Sequence, residues 1–152
     1  MGFVMLKKLT PEEELEFLKE IHGADDYSKL FSELKDAFAL LQTRAQMLLG
    51  LATICLTITG FSGPRMAQSN VYSRFLIGFG LIFVMLSVMV LAAGPLRLRW
   101  MTAWKAGDVD ETLIEHLRQR NLRTRFYRVA LVLLMVGLTG YLLSLIFYLF
   151  NG

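Results

Sequence analysis

Five arginines fall within eleven residues, RQRNLRTRFYR, from Arg118 to Arg128. Guanidinium groups bind phosphate and carboxylate, so a cluster this dense could grip nucleic acid, an acidic protein or the head groups of a bilayer. On an ideal helix, at about 100° per residue, Arg118, Arg120, Arg123, Arg125 and Arg128 fall near 0°, 200°, 140°, 340° and 280° and ring the helix. A nucleic-acid surface gathers its bases on one face or stripe. A collar placed just before an apolar run, with Phe126 and Tyr127 inside it, is what a head-group anchor looks like. Each such base contributes about 1 kcal/mol near an anionic surface. Trp100 and Trp104, flanked by Arg97, Arg99 and Lys105, have the make-up of a second anchor at the same interface. Membrane lipids are therefore the expected partner, and no nucleic acid is expected.

Other chemistry is sparse. His22 and His116, the only histidines, lie in charged helical contexts and read as surface residues. Cys55 stands alone in an apolar run, which excludes a disulfide framework and reads as a small packing residue. There is no zinc-ligand spacing, nucleophile motif or glycine-rich phosphate loop, so the expectation is no enzyme, no metal and no cofactor. The most specific pattern inside an apolar run is Gln46, Gly50, Thr53, Thr57 and Gly60, which share about 80° of a helical wheel. Small and hydroxyl residues let membrane helices approach closely, so this stripe reads as a packing face or as the water-facing wall of an oligomeric pore. Gly137, Gly140 and Ser144 make a weaker face of the same kind.

The elements that must carry these residues follow from the distribution of charge. The chain has 152 residues, 55% of them hydrophobic, and a mean hydropathy of +0.48. Nine of the thirteen acids lie at or before Asp36, and the other four lie between Asp108 and Glu115. Three uncharged runs remain: about 45–61, 75–93 and 129–150. At roughly 1.5 Å per residue, a run near 20 residues matches a hydrocarbon core of about 30 Å. The predicted fold class is an all-α integral membrane protein. It has three transmembrane helices, a short N-terminal cytoplasmic helical region, and a cytoplasmic helical segment that continues into the third span. The absence of Asp, Glu, Lys, Arg and His from the spans argues against a proton-coupled pump.

Gly63-Pro64 predicts a break after the first span, with GPRMAQSNVYSR as a polar turn closing a helical hairpin. Gly94-Pro95 ends the second span. Asp108 followed by Glu111 resembles a capping box, and no Gly or Pro follows until Gly137, so a helix from near Val109 should run unbroken into the third span. Near the N-terminus, Thr10-Pro11-Glu12-Glu13 predicts a capped helix that stops at Gly23. A second helix begins near Ser28 and feeds the first span. Its apolar stripe of Leu30, Phe31, Leu34, Phe38 and Leu41 reads either as self-association or as packing against the chain's own 109–128 helix. The expected organisation is N-terminal helices over 1–44, a transmembrane hairpin over 45–95, a basic helical segment over 96–128 and the third span over 129–152. MGFVMLKKL lacks the pattern of a cleavable signal peptide. Bases cluster before the first span and between the second and third, so the positive-inside rule places the N-terminus in the cytoplasm and the C-terminus outside an inner (plasma) membrane.

This arrangement resembles the membrane effectors of bacterial nucleotide-signalled antiphage defence, the Pycsar transmembrane effector and SLATT families, over roughly 34–149. Arg44-Ala45-Gln46-Met47-Leu48-Leu49 is similar to the run that opens the first span in such effectors, and Arg120 to Arg128 resembles their basic run before the last span. The resemblance implies a protein that oligomerises and disturbs the inner membrane when signalled. The expected function is thus a non-enzymatic, oligomerising membrane protein, a membrane-disrupting or pore-forming effector. The alternative is an accessory or scaffold subunit of a larger membrane complex, docking a cytoplasmic partner through its N-terminal helices.

Overall fold

The computed structural model describes residues 8–23, 26–69, 71–96 and 106–151. These form four helices: α1 (Pro11–His22), α2 (Tyr27–Ser69), α3 (Val71–Ala93) and α4 (Val109–Asn151). No strand occurs among the described residues. Three helices are long and apolar enough to cross a membrane, with spans Tyr27–Arg65, Val71–Ala93 and Val109–Phe150. Only 28%, 22% and 28% of their respective apolar windows is buried inside the chain. Apolar surface left so open needs lipid around it, and the chain is a multi-pass membrane protein.

The helix ends follow local chemistry. Thr10 caps α1 through a capping box: the Glu13 amide donates to Thr10 Oγ1 at 3.3 Å, and the Thr10 amide donates to Glu13 Oε2 at 2.9 Å. Gly23, at φ 93°, closes the helix with its amide on the Lys19 carbonyl, in a conformation that L side chains rarely adopt. Asp26 caps α2, accepting from the Lys29 amide at 3.3 Å. At α4 the capping differs from the box expected at 108–111. Asp108 Oδ1 accepts from Val109, its immediate neighbour, and the Glu111 carboxylate reaches back to the Gly107 amide.

Pro64 does not break α2 as expected, and the predicted turn is helical up to Ser69, with α3 resuming at Val71. A proline forfeits one rung of a helix. The expectation that α4 runs unbroken into the third span holds, over 43 residues.

The chain divides into two compact units, Met1–Leu40 with Leu98–Leu122, and Leu41–Arg97 with Arg123–Gly152. The first has a core of large side chains: Leu15 from α1, Leu30 and Leu34 from α2, Leu113 and Leu117 from α4. The second has a different core, built on small residues and a few leucines and valines, including Ala45, Ala52, Cys55, Val84, Ala130 and Leu134. Its portions of α2 and α4 each run about 43 Å at roughly 1.5 Å per residue, the thickness of a bilayer with its head-group layers, about 40–45 Å.

Within the second unit α3 and α4 run antiparallel on a seven-residue repeat of small residues. Ser87 Oγ donates to the Ala130 carbonyl at 2.7 Å. Ser73 Oγ and Ser144 Oγ are 2.8 Å apart. Midway between these rungs, a Cβ added to Gly80 would stand 2.8 Å from the Gly137 carbonyl oxygen, and one added to Gly137 would stand 2.8 Å from the Gly80 carbonyl oxygen. The partners Ser73, Gly80 and Ser87 therefore meet Ser144, Gly137 and Ala130 in one register. A heptad repeat keeps such a seam facing its partner along its length.

Because the atoms met at Gly80 and Gly137 are backbone, they cannot move aside cheaply. Gly80→Ala or Gly137→Ala should cost about 1–3 kcal/mol by overpacking. Gly78→Ala should not destabilise the chain and should gain up to about 1 kcal/mol of helix propensity, because nothing lies within 4 Å of its added Cβ. Unfolding of the three variants in mixed micelles measures the difference, and equal values for Gly78 and Gly80 would contradict the close approach.

Candidate functional site

The structure sorts the expected site residues into those that hold the chain together and those that face outward. Gln46, Gly50, Thr53, Thr57 and Gly60 are all exposed on one side of α2. An added Cβ at Gly50 or Gly60 would meet nothing within 4 Å. The Thr53 hydroxyl donates to the Leu49 carbonyl and the Thr57 hydroxyl to the Thr53 carbonyl, each at 2.9 Å, so neither needs an outside partner. The first span packs within the chain through a different stripe, Ala45, Leu48, Ala52, Cys55 and Thr59, all buried. Ser62 Oγ, one step further on that side, lies 3.0 Å from the Tyr141 hydroxyl.

Gly137, Gly140 and Ser144 are buried in the seam with α3. Their partners Ser73 and Gly80, and Ser87 opposite Ala130, are absent from the sequence reading, although Ser-Gly-Ser at seven-residue spacing is a readable sign. The same spacing recurs in Ala45, Ala52 and Thr59 and in Ala130, Gly137 and Ser144.

The arginine collar divides in two. Arg118 and Arg120 meet carboxylates of α1, Arg120 mostly buried and Arg118 still 64% exposed. Arg120 donates to Glu14 at 2.8 Å, and Arg118 lies 3.7 Å from Glu12 and 3.3 Å from Glu115. Arg125 and Arg128 are exposed, and Arg123 is half-buried. Arg97, Arg99, Trp100 and Trp104 lie outside the described residues.

Of the two readings of the α2 stripe, packing against the chain's own α4 is seen at Leu30 and Leu34. Leu30 is 2% and Leu34 4% exposed, covered by Leu15, Leu113 and Leu117 of the same chain. Phe31 and Phe38 pack beside them, and Leu41 is half-buried in the second unit.

Neither histidine stands open at the surface. His22 Nε2 is 2.9 Å from Glu33 Oε1. His116 is buried, its Nδ1 2.7 Å from the Thr112 carbonyl oxygen and its ring edge-on to Phe31. The sequence reading placed it on the surface because charged residues flank it. The helix turns those outward and the imidazole inward. Among the described residues, no group of three or more His, Cys, Asp or Glu side chains could hold a metal ion.

The clearest electrostatic feature is Lys19 Nζ against Asp110 Oδ2 at 2.6 Å, with the ammonium also 5.6 Å from the centre of the Tyr27 ring. The hydrogen bond to Asp110 raises the Lys19 pKa, and the same bond lowers that of Asp110 below the ordinary carboxylate range. The signs set the window. The Asp110 contribution is present above its unfolded pKa and is lost as pH falls through the depressed folded value. The Lys19 contribution is present below its unfolded pKa and is lost as pH rises through the raised one. Asp110 is 39% exposed, so solvent screening limits the pair to about 0.5–1 kcal/mol. Asp110→Asn should therefore speed amide exchange across α1 about two- to fivefold at neutral pH and remove the additional loosening of α1 that the native chain shows in acid. Unchanged exchange in α1 would mean that the pair does not hold that helix.

Comparisons with models of known protein families, with curated proteins and with solved structures each give no match.

Proposed function

We propose that this chain is a non-enzymatic membrane protein that self-associates through the outward face of its first span, with its N-terminus in the cytoplasm of a cell bounded by an inner (plasma) membrane. The observation that carries the reading is the position of Gly50 and Gly60, where an added Cβ would meet nothing within 4 Å. Glycine costs a helix about 1 kcal/mol relative to alanine, and while Gly78 of α3 is equally open, Gly50 and Gly60 share one stripe with Gln46, Thr53 and Thr57. Two glycines on the same stripe, flanked by Thr53 and Thr57, suit a second helix approaching closely, which is how membrane helices associate when lipid is as apolar as they are. The resemblance to antiphage effectors supplies the action: the assembly disturbs the membrane or opens a pore lined by this stripe.

Gly50→Leu and Gly60→Leu fill the face without touching the chain's own core. They should shift the protein from oligomer toward monomer at fixed concentration in mild detergent, with thermal unfolding of the helical fold unchanged. Thr53→Val removes one hydroxyl and should be mild, since interhelical hydrogen bonds in membranes average about 0.6 kcal/mol. Oligomer size that is indifferent to both glycine variants refutes the face. If size persists while ion flux falls, the stripe lines a water path. A periplasmic reporter should be active after Gly152 and silent at Gly107, and the reverse pattern would overturn the orientation.

A second reading has its own observation. Phe17 and Ile21, four apart on α1, are 50% and 57% exposed. The first unit also holds a groove of about 420 Å³, floored by leucines and edged by Glu33 and Asp36. This surface would suit a scaffold subunit docking a cytoplasmic partner. Phe17→Ser with Ile21→Ser should then abolish co-purification of that partner while oligomer size stays unchanged.

A further inference from the structure

The second unit contains no acidic side chain, yet it carries Arg44, Arg65, Arg74, Arg123, Arg125 and Arg128 among its described residues. Its positive charge has no acidic side chain of the same unit to balance it. Arg125 and Arg128 are both exposed. On the helical wheel they sit over the stripe of α4 that continues as Val132, Met135, Thr139 and Leu143. That stripe is one side of an open apolar groove of about 460 Å³, walled on the other side by Leu76 and Phe79 of α3. Gly140 adds no side chain to the groove it lines. Thr139, the polar residue in it, has its hydroxyl occupied by the Met135 carbonyl at 2.8 Å.

The length of the groove identifies its occupant. From Leu131 to Leu143 the lining of α4 covers about 18 Å at roughly 1.5 Å per residue. Half of a hydrocarbon core of about 30 Å is close to that. A crossing helix would use the whole thickness. A trough one leaflet deep, with two guanidinium groups at the head-group end and an apolar floor below, has the shape of one phospholipid. We propose that this groove is a binding site for an anionic phospholipid, with the phosphate on Arg125 and Arg128 and one acyl chain along Val132, Met135 and Leu143. Guanidinium suits phosphate oxygens by its planar fork of donors. The site lies on the monomer and stands whether or not the first span self-associates.

Purified protein in mild detergent is given equimolar phosphatidylglycerol and phosphatidylcholine, and the retained lipids are counted by native mass spectrometry. The native chain should hold phosphatidylglycerol over phosphatidylcholine by tenfold or more. Arg125→Gln with Arg128→Gln should bring that ratio within twofold, while Arg65→Gln with Arg74→Gln, the same charge change at the other end of the hairpin, should leave it intact. Met135→Trp should fill the groove and lose the retained lipid of both kinds. Val132→Trp makes the same test if the first variant loses its helical circular-dichroism signal. Three results overturn the proposal: equal loss of preference in both arginine pairs, which means diffuse attraction; displacement of the lipid by excess inorganic phosphate, which means a free-anion site; and a groove-filling variant that converts oligomer to monomer with lipid retention unchanged, which means that a second copy occupies the groove.

Discussion

The backbone approach of α3 to α4 at Gly80 and Gly137 is the constraint on which the membrane unit depends. In water, burying large side chains drives helices together. In lipid that drive is missing, because acyl chains are as apolar as leucine. What remains is van der Waals contact over closely spaced backbones, with hydrogen bonds that lipid cannot supply. The seam provides both. Ser73 with Ser144 and Ser87 with the Ala130 carbonyl place hydroxyl rungs on either side of the glycine pair. Each bond is worth little alone, about 0.6 kcal/mol, but a bulky residue at any rung would separate the helices over the whole seam. Small residues inside push large ones outward, and so Ile54, Phe75, Ile82 and Val132 are all more than half exposed.

The two long helices obey both regimes in turn. The part of α2 in the first unit buries Leu30 and Leu34, and the corresponding part of α4 buries Leu113 and Leu117. Further along the same helices the buried positions become Ala45, Ala52 and Cys55, and Ala130 with Gly137. The exterior changes in step, from Glu12, Glu33 and Glu115 in the first unit to isoleucine, methionine and phenylalanine in the second. The hydrophobic period continues while the sizes inside and outside exchange places. Leucine cores with ion pairs such as Lys19–Asp110 and Glu14–Arg120 suit water. Alanine and glycine seams suit lipid.

That exchange explains what was legible in the sequence. Helix type, the three spans and the unbroken course of α4 follow from hydropathy, charge and the absence of breakers, and all are local signals. Pro64 misled because its lost amide removes one rung of the helix, which α2 tolerates on its way to Ser69. The side of α2 that packs within the chain was also unreadable from one helix. Gly50 and Gly60 are better small residues than Ala45 and Ala52, and only the partner helix decides which stripe it meets. His116 shows the same limit. Its charged neighbours are visible in sequence, but the direction in which the helix points it is not. The seven-residue repeat was available in all three spans, and comparing the spans with one another would have exposed it.

The arginine cluster that opened the question shows how position changes the work of one residue type. Arg118 and Arg120 lie where α1 supplies carboxylates, and the geometry uses them as internal ties: a guanidinium on Glu14 with both side chains mostly buried is not available to a lipid. Five residues beyond Arg120, Arg125 belongs to a unit with no carboxylate at all. A charge there has no carboxylate of its own unit to meet. The apolar stripe that begins one turn after Arg128 removes water from one side of it. Moving one acid into the second unit, for example by Thr124→Glu beside Arg128 (four residues apart on the helix), would give that charge an internal partner worth about 0.2–0.5 kcal/mol. That is less than the roughly 1 kcal/mol available from an anionic surface, so the arginine would still turn to the membrane. The division of the collar therefore follows from where the acids are, and not from any difference among the arginines.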